Sequence, residues 1–132
     1  ELVEFRRDLV KTLSQPAFDV TAAAKSVSSF VDSAGKEAAV KRSRLRLVVS
    51  LAEEFYRAIL LEITADEKPA DAELAGCVSN AAAWMDDAGP SECLERCLEA
   101  YGHIDANANQ ATLIEWWLDE LTQVGRAMSG AR

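Results

Sequence analysis

The sequence predicts an all-α fold, a bundle of five or six helices around one long central helix. Apolar residues recur at intervals of three and four in every long segment, which is the spacing of one helix face. No stretch alternates at period two for long enough to make a strand. Only three of the 132 residues are proline, and a chain of this length can bury a core of its own. We therefore expect residues 1–132 to form a single helical domain.

The first two helices are predicted over residues 1–14 and 19–33. Pro16 follows the first helix because proline cannot continue a helix. Asp19 suits the N-cap of the second, since its short side chain can accept hydrogen bonds from the free N–H groups of a first turn. Gly35 suits the stop that ends the second helix.

The third predicted helix, residues 36–64, is the longest. Its apolar face is wide, so we expect it to lie centrally and to contact several other helices. The residues of this face are Leu45, Val48, Val49, Ala52, Phe55, Tyr56, Ile59, Leu60 and Ile63.

The fourth helix is predicted over about residues 71–87, and the fifth from Ser91 or just before it to about Tyr101. Gly89-Pro90 lies between them and is expected to end the fourth helix. The predicted inner face of the fourth helix comprises Leu74, Cys77, Val78, Ala81 and Trp84. The predicted inner face of the fifth comprises Leu94, Cys97, Leu98 and Tyr101.

The sixth helix, predicted over residues 109–128, carries two adjacent tryptophans with different expected environments. Trp117 falls within the apolar arc of the helix, whereas Trp116 projects among polar residues. A large aromatic side chain on a polar face is often the anchor of a protein interface. The alternative is that a terminal segment of the chain covers it. The predicted interface residues are Trp116, Thr112, Asp119 and Gln123.

The net charge of −8 is unevenly distributed. Residues 1–61 carry 10 basic and 8 acidic residues, whereas residues 62–120 carry 2 basic and 14 acidic residues. Because most of this surface repels nucleic acid, we expect no DNA contact by the domain. The basic cluster is interpreted either as a solvated helix start or as a contact for phosphate or for an acidic neighbour. It comprises Lys36, Lys41, Arg42, Arg44 and Arg46.

Residue types that carry out catalysis or bind metal are scarce. His103, the only histidine, lies near a helix C-terminus, where the helix dipole favours its charged form. Cys93 and Cys97 form one i, i+4 pair, which is a weak zinc signal, and Cys97 suits an apolar helix face. A Gly-rich phosphate-binding loop is absent from the sequence. We therefore expect no catalytic, cofactor-binding or metal-binding residues, no cofactor and no ATPase activity in this chain.

The start of the chain and its cysteines bear on its origin. The chain begins at Glu1 without Met and lacks a signal-peptide pattern, and no apolar run approaches the roughly 18 residues of a membrane span. Three cysteines do not suggest a disulfide framework. We expect a cytoplasmic fragment of a longer protein with no membrane contact.

The segment between the last two helices is predicted to be a tight joint. In Asp105-Ala106-Asn107-Ala108-Asn109, the doubled Asn supplies capping side chains between two helices. This joint and the Leu-rich helix after it resemble the closing helix pair in the C-terminal domain of bacterial DNA polymerase III clamp-loader subunits. That family often has Pro after the second Asn, where this chain has Gln110.

The resemblance covers most of the chain. Residues 40–62, with Phe55-Tyr56 followed by Arg57 and an apolar run, look like the long middle helix of that family. Residues 18–31 look like the short helix that precedes it. Among the subunits of the family, the chain is most similar to delta-prime and next to gamma/tau.

The resemblance implies an assembly function. In this family two AAA+ modules precede the domain, and the C-terminal domains of five subunits pack into a ring, the collar. The ring holds the loader together while ATP drives loading of the sliding clamp onto primed DNA. The implied partners are other clamp-loader subunits. Two other classes stay open: a stand-alone helical scaffold unrelated to replication, and a ligand-binding or enzymatic bundle with polar groups converging inside.

Overall fold

Six α-helices make up the described part of the chain. The computed structural model describes the backbone of residues 1–130 and the side chains of residues 1–128, and this range holds no β-strand. The helices are α1 (Leu2–Leu13), α2 (Val20–Asp32), α3 (Ala38–Ala65), α4 (Ala72–Ala82), α5 (Ala88–Asp105) and α6 (Gln110–Gly130). The all-α prediction is confirmed. Within the same range, no helix combines the length and the apolar character that crossing a membrane requires.

The longest helix, α3, lies at the centre of the bundle. It packs against α1, α2, α4 and α5, while α6 packs against α2 and α5. The α3 and α5 helices run antiparallel. Arg46, early in α3, pairs with Asp105 at the end of α5, and Glu53, further along α3, accepts a 3.1 Å hydrogen bond from the Tyr101 hydroxyl, earlier in α5. The predicted apolar face of α3 is buried from Leu45 to Ile59, and its last two members are half-buried.

Short polar side chains set several helix starts. Asp19 caps α2 by accepting a 3.1 Å hydrogen bond from the Ala22 N–H, as predicted. Asp71 caps α4 in the same way, by accepting hydrogen bonds from the Glu73 and Leu74 N–H groups. Gly35 has a φ of +140°, a conformation that side chains disfavour, so the chain turns from α2 into α3 at the residue predicted to end α2.

The boundary between α4 and α5 differs from the prediction. The α4 helix ends at Ala82, and Gly89-Pro90 lies in the first turn of α5 rather than after α4. The Asp86 carboxylate accepts hydrogen bonds from the N–H groups of Ala88 and Gly89, at 3.0 and 3.2 Å, and so opens α5. Proline is tolerated in a first turn because the N–H it lacks has no partner within the helix.

The inner face of α5 is also rotated from the predicted one. Leu98 is 62% exposed, whereas the buried positions beyond the first turn are Cys93, Cys97, Ala100 and Ile104. Small side chains on this face allow α5 to lie closely between α3 and α6. Of the predicted inner face, Cys97 is buried as expected and Leu94 and Tyr101 are half-buried against the core, whereas the placement of Leu98 inside was wrong.

The inner surface of α6 is wider than its apolar arc. Thr122 is buried, and its hydroxyl accepts a 3.1 Å hydrogen bond from the Phe18 N–H, in the loop after α1. One turn further, a Cβ added to Gly125 would lie 2.2 Å from the Pro16 carbonyl oxygen. The α6 helix therefore meets the α1–α2 loop at backbone contact distance.

Candidate interaction surface

The two adjacent tryptophans of α6 lie in different environments. Trp117 is 1% exposed and belongs to the hydrophobic core, as predicted. Trp116 is half-buried and packs against that core from its outside. The incomplete burial of Trp116 is the condition that an interface role requires.

The Trp116 ring rests against the last turn of α5. The His103 ring meets it edge to face, with ring centroids 5.0 Å apart and an interplanar angle of 82°. His103 lies near the C-terminus of α5, as predicted, but it also buttresses one side of Trp116. An edge-to-face aromatic contact of this kind is favourable and restricts the indole, so we expect a partner to remove less conformational entropy on binding.

An open cleft of about 280 Å³ adjoins this ring; we call it the Trp116 cleft. Its walls combine an apolar surface with a few polar groups, the composition typical of a recognition pocket. The lining residues are His103, Ala108, Asn109, Thr112, Leu113 and Trp116.

The joint between α5 and α6 shapes the cleft. Asn107 adopts a left-handed conformation, with φ of 59°, and Asn tolerates this conformation better than most residues. The Ala108 N–H then donates to the His103 carbonyl oxygen at 3.0 Å. The Asn109 side chain accepts a 3.0 Å hydrogen bond from the Thr112 N–H, so its predicted capping role is confirmed. These bonds place His103 and Trp116 on the same side of the joint.

The other predicted interface residues divide into two groups. Thr112 lies in the wall of the Trp116 cleft. Asp119 and Gln123 lie further along α6, outside the cleft lining, where the Gln123 side-chain amide donates to the Asp119 carboxylate at 2.7 Å. Thr112 therefore lies beside Trp116 in the same cleft, whereas Asp119 and Gln123 are hydrogen-bonded to each other outside it.

The basic cluster also separates into structural and unpaired residues. The Arg44 guanidinium lies 4.5 Å from the centre of the Phe30 ring and donates to the Phe30 carbonyl oxygen at 3.2 Å. Arg46 pairs with Asp105, and Lys41 lies 3.3 Å from an Asp32 carboxylate oxygen. These three residues thus tie the start of α3 to α2 and α5.

Lys36 and Arg42, the other members of the basic cluster, have no ion-pair partner in the part of the chain that the structure describes. They border an open groove of about 370 Å³, which we call the basic groove. Its charged or polar walls include Lys36, Lys41, Arg42, Asn107 and Gln110, and Ala108 forms part of its base.

The buried thiols occupy the core rather than a reactive site. The Cys93 sulfur is hydrogen-bonded to the Tyr56 hydroxyl, and burial raises the pKa of both the Cys93 and the Cys97 thiol to about 12. Both thiols are therefore protonated at neutral pH in the metal-free chain, and the protonated thiol is a poor nucleophile. No group of three or more His, Cys, Asp and Glu side chains that could hold a metal occurs among the described residues.

Comparisons with protein-family models, with curated proteins and with solved structures found no match for this chain.

Two features of the surface were not predicted. The contact of His103 with Trp116 joins residues 13 positions apart across the joint, and Ala108 lies where the Trp116 cleft and the basic groove meet. The doubled Asn predicted a joint at this point. The left-handed conformation of Asn107 suits this residue type, but the sequence pattern predicted only a capping role for Asn107.

Proposed function

We propose that the chain is a subunit-assembly domain of the collar of a DNA polymerase III clamp loader, and that it supports ATP-driven loading of the sliding clamp. The observation that carries the proposal is Trp116. This large aromatic side chain contacts His103 at the edge of a partly apolar cleft and is only half-buried. The cleft lies on the closing helix pair, the segment whose Asn-x-Asn joint carries the family resemblance.

The burial pattern favours an assembly domain over an enzymatic bundle. A ligand-binding or catalytic bundle needs polar groups that converge inside it. Among the buried polar groups of the described chain, Ser14 and Thr122 are each hydrogen-bonded to the backbone and the Tyr56 hydroxyl is hydrogen-bonded to Cys93, whereas the Trp117 indole N–H lacks a hydrogen-bond partner. These groups are uncharged, which supports an assembly role over catalysis inside the bundle.

The expected energetics suit an anchor residue. Tryptophan is enriched among the residues that dominate binding energy, and truncation of such a residue costs about 2 kcal/mol or more. Because His103 already orders the indole, little of this energy is lost to immobilising the side chain. We therefore expect Trp116 to insert into a pocket of a neighbouring subunit, with the cleft receiving an apolar side chain in return.

Reconstitution tests the proposal. The full-length parent chain is mixed with the other clamp-loader subunits encoded in the same genome, and the complex is measured by size-exclusion chromatography with light scattering. We expect the wild-type chain and Leu98→Ala, a matched truncation of another exposed apolar residue, to assemble, and Trp116→Ala to assemble weakly. A wild-type chain that joins no such complex would contradict the proposal and leave the stand-alone scaffold as the remaining interpretation.

The isolated domain gives a second test. We expect it to hydrolyse no ATP and to bind no metal tightly. Stoichiometric zinc by elemental analysis that is lost on substitution of Cys93 or Cys97 would show that the expectation is wrong.

A further inference from the structure

We infer that the basic groove receives carboxylate groups of the same partner that fills the Trp116 cleft. The partner then presents an apolar anchor flanked by acidic side chains of a protein segment. This inference rests on the proposed function, because it takes the Trp116 cleft to be the assembly surface.

The two concavities form one continuous surface. Ala108 lines both of them, and the neighbouring Asn107 and Asn109 belong to the basic groove and to the Trp116 cleft, respectively. A partner segment that crosses the joint between α5 and α6 therefore meets the indole on one side and the cationic side chains on the other.

The positive charge at the groove is not required by the fold. Arg44 and Arg46 already make the contacts that hold the start of α3. Lys36 is exposed and Arg42 is half-buried, and neither has an ion-pair partner among the described residues. The Lys41 ammonium group forms an ion pair with the exposed Asp32 carboxylate and keeps two further N–H donors for a partner. The groove thus offers cationic donors within a chain whose net charge is −8.

Carboxylates of a protein segment fit this surface better than the phosphates of nucleic acid. Residues 62–120 carry 14 acidic and 2 basic residues, and the Trp116 helix itself bears Glu115 and Asp119 close by in sequence. A duplex is a continuous polyanion and would be repelled by this surface over a screening length of about 8–10 Å. A short acidic segment can instead occupy the groove alone, where the lining carries Lys36, Lys41 and Arg42.

The test uses charge reversal in the full-length parent chain. The double variant Lys36→Glu/Arg42→Glu is compared with Lys11→Glu/Lys25→Glu, which makes the same charge change on exposed side chains of α1 and α2. Affinity for the other clamp-loader subunits is measured at low and high salt. We expect the groove variant to bind at least about 10-fold more weakly at low salt, with the difference shrinking at high salt, and the control to change less than about 3-fold.

The outcomes separate the inference from the proposed function. If Trp116→Ala weakens assembly but groove charge reversal does not, the inference is wrong and the proposed function stands. If neither change has an effect, both fail. Binding of a fluorescein-labelled 20-base-pair DNA duplex is measured as a further test. Binding of this duplex to the wild-type domain, lost on Lys36→Glu/Arg42→Glu, would assign the groove to phosphate and overturn the inference.

Discussion

The inner and outer faces of α6 differ most clearly at two neighbouring residues. Trp117 is fully enclosed by the core, whereas Trp116 is held against His103 and remains half-exposed. A rotation of about 100° along the helix separates a residue that stabilises the fold from one that the fold leaves for contact with another molecule. The same residue type therefore serves two purposes, and only its position relative to the apolar arc distinguishes them.

The largest expected effect tests the inner face. Trp117→Ala should lower the free energy of unfolding by about 3–5 kcal/mol, because it removes a large buried side chain and leaves a cavity. Urea unfolding of the isolated domain, followed by circular dichroism, measures this loss. A loss below about 1 kcal/mol would show that Trp117 is not part of the core and would remove the contrast with Trp116.

The next largest expected loss of stability comes from the contact of α6 with the α1–α2 loop. Gly125→Ala should destabilise the domain by about 1–3 kcal/mol, since the added Cβ would lie 2.2 Å from the Pro16 carbonyl oxygen. Gly102→Ala is the matched control: it lies inside α5 with no atom within 4 Å of the new Cβ, so it should stabilise the domain by about 0.5–1 kcal/mol. Equal effects of the two substitutions in the same unfolding experiment would contradict the close approach.

The thiols of the core predict a dependence of stability on alkaline pH. The pKa of Cys97 is about 12 in the folded chain, against an unfolded value of 9.0, so the native state keeps a proton that the unfolded state loses. The contribution of the Cys97 thiol to the free energy of unfolding is fully present below pH 9. It declines by about 1.4 kcal/mol per pH unit as the pH rises from 9 toward 12.

Two variants isolate that contribution. Cys97→Ala should flatten the fall in unfolding free energy between pH 8 and pH 10 by about 1 kcal/mol, while Gly102→Ala, which keeps the Cys97 thiol, should leave the fall unchanged. Parallel pH profiles for wild type and Cys97→Ala would contradict the raised pKa.

Much of the fold could be predicted from periodicity and capping residues. The six helices, the caps at Asp19 and Asn109, and the burial of Trp117 all follow from local rules that the structure confirms. The start of α5 could not be placed correctly, because Gly-Pro either ends a helix or opens one, and the Asp86 carboxylate decides between them.

The surface was less predictable than the core. Leu98 was expected inside, but packing of α5 between two helices favours the small residues on its opposite side. The close approach of Gly125 to Pro16, and the convergence of His103 with Trp116, depend on how distant segments meet. Helix periodicity says which face a residue occupies and does not say what lies opposite.

We propose that Trp116 acts in assembly and not in folding. The most direct measurement is the dissociation constant of the protein for the clamp-loader subunits proposed as its partners, wild type against Trp116→Ala, together with the unfolding free energy of each isolated domain. We expect an affinity at least about 30-fold weaker for Trp116→Ala, equivalent to about 2 kcal/mol, with a stability change below about 1 kcal/mol. An unchanged dissociation constant, with or without a loss of stability, would contradict it.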